Sequence, residues 1–168
     1  MIHVCSLARL HATVEETGAR RVVTLMRDVE LVRRPPTIAD ADHLRLRLDD
    51  ISEPIDGYTV PAEEHTAELL TFVRQWDRAA PLVMHCYAGV SRSTAGAFVS
   101  VCALNPKRAE ADIARDIRRL SPTATPNIRI VALADQMLGR DGRMVAAIEA
   151  IGRGVECYEG HPFRLDLG

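Results

Sequence analysis

PLVMHCYAGVSRSTAGAFVSVCAL, residues 81 to 104, contains three successive textures. PLVMHC is a short apolar run behind a proline, the composition of a central strand buried on both faces. STAGAFVSVCAL is small and apolar on nearly every side, as in a helix packed against a sheet. Between them, the chain turns through a short loop that contains Gly89. A buried strand leading through such a loop into a buried helix is the local grammar of a parallel α/β sheet.

The flanking sequence repeats that grammar. Residues 2 to 5 and 21 to 26 are β-rich, and between them Leu7, Leu10 and Val14 recur at helical spacing before Gly18. Residues 33 to 42 carry Pro35-Pro36 and read as a loop, with Ile38 able to plug back into the core. In DHLRLRLDD, Leu44, Leu46 and Leu48 alternate with His43, Arg45 and Arg47, which predicts a strand near a sheet edge with one wet face. Pro61 to Trp76 is an amphipathic helix with Glu63 and Glu64 in its first turn and Leu69, Leu70, Val73 and Trp76 on its stripe.

Downstream, Asn105-Pro106 reads as a cap and first turn of a helix carrying Ala109, Ile113, Ile117 and Leu120. Thr125-Pro126 reads as the start of another helix, running to about Leu138, and Asp141 opens a last one through Ile151. The tail after Gly152 has no periodicity. The fold expected is a single α/β domain over residues 1 to 168, three-layered, with a mainly parallel central sheet flanked by helices. In such sheets ligands bind beyond the carboxyl ends of the strands, where Cys86 stands.

Composition narrows the function. The 168 residues suit one domain, and 47% hydrophobic residues suffice for a core. A net charge of -2 gives no bulk field for nucleic acid or anionic membrane. No apolar stretch reaches membrane-spanning length and no secretory leader is recognisable, so a cytoplasmic location is expected. Cys5, Cys86, Cys102 and Cys157 form neither a C-x-x-C pair nor a zinc-type cluster, so neither a metal nor another cofactor is expected.

The loop after Cys86 has the makings of an anion site. Successive N–H groups of Tyr87, Ala88, Gly89, Val90 and Ser91, joined to the free amides of a helix start, form a cradle for phosphate. Arg92 can fork onto two phosphate oxygens. A cysteine in such a cradle is expected as a thiolate, the form that attacks phosphorus. Ser93 can donate a hydrogen bond to the sulfur, and His85 is expected to support the loop from behind. A leaving oxygen also needs a proton, and Asp49 and Asp50 follow the edge-strand pattern. Strand alternation favours Asp50. Cys5 is within conceivable reach of Cys86 for an oxidative disulfide.

His85-Cys86, five residues and Arg92-Ser93 resemble the HC-x5-R-S/T signature of the protein tyrosine phosphatase superfamily, and Ala88-Gly89 with Ser91-Arg92-Ser93 is most similar to its dual-specificity branch. The resemblance implies Cys86 as nucleophile, Arg92 as phosphate binder, Ser93 as an aid to thiolate departure and Asp50 as the mobile-loop acid. Ser121-Pro122 through Pro126-Asn127 resembles the family's serine-proline-asparagine turn, with four extra residues, and implies a bracing role for Asn127. Order of elements carries the likeness over residues 1 to 138. The implied activity is hydrolysis of a phosphorylated protein or small phosphate monoester through a cysteinyl-phosphate. Two rival readings use the same loop: a catalytically silent phosphate-binding module, and a rhodanese-like sulfur transferase.

Overall fold

The buried run at residues 82 to 86 lies at the middle of a five-stranded sheet in the computed structural model, which describes residues 1 to 168. Its strands are β1 (Ile2–Ser6), β2 (Arg21–Met26), β3 (His43–Arg47), β4 (Leu82–Cys86) and β5 (Phe163–Leu165), in the order β3-β2-β4-β1-β5. The first four are parallel, and β5 closes the far edge antiparallel to β1. β4 pairs with β1 from Ile2↔Leu82 to Ser6↔Cys86 and with β2 from Arg21↔Leu82 to Thr24↔His85. Cys86 therefore ends the central strand.

The sheet separates two unequal apolar layers. The smaller lies under α1 (Leu10–Thr17) and joins Cys5, Leu10, Val14, Val22, Val83 and Ile38. Ile38 plugs in from the proline-rich loop as expected. The larger layer holds α2 (Glu63–Arg74), α3 (Arg92–Leu104), α4 (Glu110–Leu120), α5 (Ile128–Met137) and α6 (Arg143–Ile151). Strand alternation sorts the side chains: Val22 and Met26 of β2 go to the small layer, Val23 and Leu25 to the large one. α3 is buried without a break from Ser93 to Cys102, which is why its sequence lacks a polar stripe. Gly96 brings it onto the sheet, since a Cβ there would stand 3.1 Å from the sulfur of Met84.

Five local readings need correction. His43 is buried, not on a wet face, because its ring bonds to Thr24 inside the small layer. Asn105-Pro106 does not start a helix: α4 begins at Glu110, and Asn105 instead ends α3, with its amide donating to the carbonyl of Leu167 at 2.8 Å. The cap of α5 is Asn127, not Thr125, with Oδ1 accepting from the amides of Arg129 and Ile130. Asp141 does not cap α6. The buried carboxylate of Asp135 does so from α5, accepting from the amides of Gly142, Met144 and Val145. The aperiodic tail supplies β5, too short at three residues to leave a period in the sequence.

Candidate active site

Three segments meet at the carboxyl end of β4: the loop Tyr87–Ser91, the Asp49-Asp50 pair after β3, and the turn before α5. The loop is held from outside by its carbonyls. Tyr87 O accepts from the amide of Leu7, Ala88 O from Gly160, Val90 O from Thr125 and Ser91 O from Asn127, at 2.9–3.3 Å. The hydroxyl of Thr94 also donates to the carbonyls of Val90 and Ser91, at 2.6 and 2.9 Å. With the carbonyls turned outward, the amides of Tyr87 to Ser91 donate to no acceptor in the protein. A row of inward N–H groups at a helix start is an anion cradle.

Gly89 makes the turn possible. Its φ is 73°, and a Cβ would lie 2.7 Å from the carbonyl carbon of Cys5 and 2.8 Å from the nitrogen of Ser6. Only a glycine can pass so close to β1 in that conformation.

Cys86 is buried, with Sγ 3.1 Å from the hydroxyl of Ser93. Arg92 opens α3, and its Nη1 donates to the carbonyl of Leu48 at 3.2 Å. Its buried Nε has no protein partner. An arginine N–H withheld from protein acceptors beside an amide cradle suits a bound oxyanion.

The two aspartates have different tasks. Asp49 is buried and ties down its own loop: its amide donates to Thr59 O at 2.7 Å, and its Oδ2 accepts from the Thr59 amide at 2.8 Å. Asp50 reaches the loop after β4, its Oδ1 accepting from the Ser91 hydroxyl at 2.7 Å and the Asn127 side-chain amide at 2.8 Å. Asn127 thus joins all three segments: its Oδ1 caps α5, its side-chain amide meets Asp50, and its backbone amide meets Ser91. An open cavity of about 320 Å³ is lined by Asp49, Asp50, Arg92, Arg27, Tyr58 and Tyr87, with Arg27 over the Tyr58 ring at 5.1 Å.

His85 lies outside this cavity. Its ring is fully buried in the layer under α1, with Nε2 2.6 Å from the hydroxyl of Thr24. Burial pushes its pKa down to about 4, assisted by Arg92 and His11, against an upward pull from the backbone of Cys86. Cys5 packs on that same side, whereas the Cys86 sulfur faces Ser93 of α3 on the other, so the sheet stands against the Cys5–Cys86 disulfide. Burial pushes the Cys5 thiol up to about 12. No group of three His, Cys, Asp or Glu side chains converges as a metal site, and no helix is long and apolar enough to cross a membrane.

The tail contributes what sequence reasoning missed. Besides the Gly160 amide, Glu159 accepts from the Ser6 hydroxyl, and Gly154 and Val155 bond to Thr125 and Pro122. The Gly154 and Val155 contacts hold one wall, residues 153–157, of a second, wider cavity of about 900 Å³, which shares Asp50 with the first, takes Val90 and Ser91 from the loop, and is closed by Ser52, Thr123 and residues 125–128. A low-periodicity tail rich in glycine offers no signal for such a role beyond Gly160 itself, whose Cβ would crowd Gly89 O at 3.1 Å.

No protein-family model and no curated protein matches the chain. Solved structures do. The phosphatase PTP-2 of Cydia pomonella is 20% identical over 80% of this chain and 84% of that one, with a TM-score of 0.63. DUSP15 is 17% identical over 89% and 90%, also at 0.63. A human tyrosine phosphatase-like serine/threonine/tyrosine-interacting protein is 12% identical over 83% and 92%, at 0.63. The parallel sheet, the loop after its central strand and these neighbours together give the chain the fold of the protein tyrosine phosphatase superfamily in its dual-specificity-like form.

Proposed function

We propose that the chain is a phosphoric monoester hydrolase of the protein tyrosine or dual-specificity type, working through a cysteinyl-phosphate on Cys86. The observation that carries this reading is a buried sulfur at the root of a loop whose five amides and one arginine Nε lack protein acceptors. Phosphate oxygens would take those donors, placing phosphorus before the sulfur. Attack forms the S–P bond as the P–O bond breaks, and Asp50 gives its proton to the departing oxygen. Water then attacks phosphorus, Asp50 takes its proton, and the S–P electrons return to sulfur. The Ser93 hydroxyl, 3.1 Å away, is placed to stabilise the returning thiolate. The guanidinium of Arg92 meets the oxygens over which charge spreads.

The rival is a module that binds phosphate without turnover. One observation favours it: the Asp50 carboxylate is already engaged by Ser91 and Asn127, so catalysis requires the acid loop to release one of those bonds.

Hydrolysis of an aryl phosphate in the presence of chelator separates the two. The enzyme reading expects turnover that the C86S variant loses while still binding vanadate or phosphate by calorimetry. A wild-type protein that binds phosphate and never turns over is the silent module, and turnover undiminished in C86S removes Cys86 from the chemistry.

A further inference from the structure

The chain between Asp50 and Pro61 has almost no structure of its own. Its main chain makes one internal turn bond, from the Tyr58 amide to the Ile55 carbonyl at 3.1 Å, and residues 52–59 are all exposed. A single side chain holds both arms of this excursion. Arg129, in the first turn of α5, donates from Nε to the carbonyl of Pro61 at 2.6 Å and from Nη1 to the carbonyl of Ser52 at 3.2 Å. A guanidinium is a rigid flat fork, so two of its N–H groups can meet two carbonyls at once.

Other side chains hold the same excursion, each with a different reach. Ser91 and Asn127 donate to the Asp50 carboxylate, the very group that must exchange a proton, and turnover requires one of those bonds to be released. The Asn127 side-chain amide also meets the Ile51 carbonyl, at 3.3 Å, but with the same nitrogen that serves Asp50. Arg27 donates to the Gly57 carbonyl at 3.0 Å and lies over the Tyr58 ring, near the far tip. The two bonds of Arg129 go to main-chain carbonyls on both arms, one of them two residues from Asp50. A carbonyl keeps its bond whichever protonation state the carboxylate is in.

We infer that Arg129 is a positioning residue that clamps both arms of the acid loop and keeps Asp50 beside the loop after β4 while its carboxylate lets go of Ser91 or Asn127. This rests on the hydrolase reading, in which Asp50 is the acid and then the base. Arg129 lines neither of the cavities that Asp50 lines, so it acts through the backbone of the loop and not on the substrate. A catalytic group misplaced by about 1 Å can cost roughly a hundredfold in rate. For a general acid, that loss falls on esters whose leaving oxygen needs a proton.

The test compares phenyl phosphate, whose leaving group is poor, with p-nitrophenyl phosphate, whose leaving group is activated. R129M keeps the length of the side chain and removes its donors. It is expected to lower kcat on phenyl phosphate by about tenfold and on p-nitrophenyl phosphate by about threefold or less. Phosphate affinity by calorimetry should stay within about twofold of the parent. In a D50N background, adding R129M should change either rate by less than about twofold, because no acid is left to misplace. Equal losses on both esters, a loss of phosphate affinity as large as the loss of rate, or an R129M effect undiminished in D50N each overturn the inference. Amide hydrogen exchange gives a readout without turnover. The amides of Asp49 and Thr59, which close the neck of the loop, should exchange at least about threefold faster in R129M than in the parent. Should R129M fail to fold, the parent decides: a clamped neck exchanges more slowly there than the amides of Glu53, Asp56 and Gly57, and equal rates refute the clamp. A parent that hydrolyses neither ester sinks the hydrolase reading and leaves the clamp to be judged on exchange alone.

Discussion

Gly89 shows how narrowly a single residue can be constrained. It needs a left-handed backbone and lacks room for one methyl group, because the backbone of Cys5 and Ser6 lies within 2.7–2.8 Å of a Cβ. G89A must strain φ and push the loop off β1. The backbone term alone costs roughly 1–2 kcal/mol, and the contact with immovable backbone adds to it. We expect the melting temperature to fall by about 4–8 °C if the sum is near 2 kcal/mol, with loss of phosphate binding. A G89A protein with parent stability and affinity would mean that the loop does not depend on β1. That Cys86, Gly89, Arg92 and Ser93 gather at the end of β4 was legible because they are near neighbours along the chain. The choice of Asp50 over Asp49 was not: alternation suggested it, but only the Thr59 bonds to Asp49 and the Ser91 and Asn127 bonds to Asp50 give the two carboxylates different surroundings.

Elements were legible where their periodicity was long, as in α2 and the buried α3. Their ends were not, since a cap can come from a distant residue. Asp135 illustrates this. It sits in the last turns of α5, and its two oxygens serve amides at the start of α6, at 2.7 Å for Gly142 and Met144 and 3.4 Å for Val145. D135A is expected to destabilise the protein by about 2 kcal/mol, the upper range for a lost cap that leaves buried donors unsatisfied. D135N, which keeps one oxygen acceptor, should lose about half as much. Urea unfolding measures both, and equal stabilities for D135A and parent would show that α6 is capped by water. Asn127 likewise serves two elements, since one side chain caps α5 and bonds to Asp50 after β3. This cap is local, since Asn127 serves the amides two and three residues on, and asparagine is a favoured N-cap; the Thr125-Pro126 pair drew the reading two residues too early.

At the scale of the molecule, the buried histidines make stability depend on pH. Burial, with help from Arg45 and His85, pushes His43 down to about 3, and burial pushes His85 down to about 4, from an ordinary 6.5. The unfolded chain therefore binds protons that the folded one refuses, so stability is full above pH 6.5 and falls with acid. Between pH 6.5 and 5, above the range of most carboxylates, the loss should reach at least a two-proton dependence, to which His3, also lowered by burial, adds, and H43L should remove about one proton of it. Chemical denaturation at half-unit steps of pH gives the slope directly. A flat profile over that window would mean that the rings protonate in place. What the sequence determined by itself was whatever depends on neighbours along the chain: alternation, helical period, and a loop whose amides and arginine converge because they are adjacent. The tertiary structure decided which aspartate meets that loop, which side chains cap α5 and α6, why His43 is buried, and how a glycine-rich tail becomes an edge strand and the wall of a second cavity. Apart from the Asn127 cap, those outcomes depend on groups that meet in space and not along the chain, 77 residues apart for Asp50 and Asn127 and 153 for Ser6 and Glu159, and no period or local spacing records such meetings.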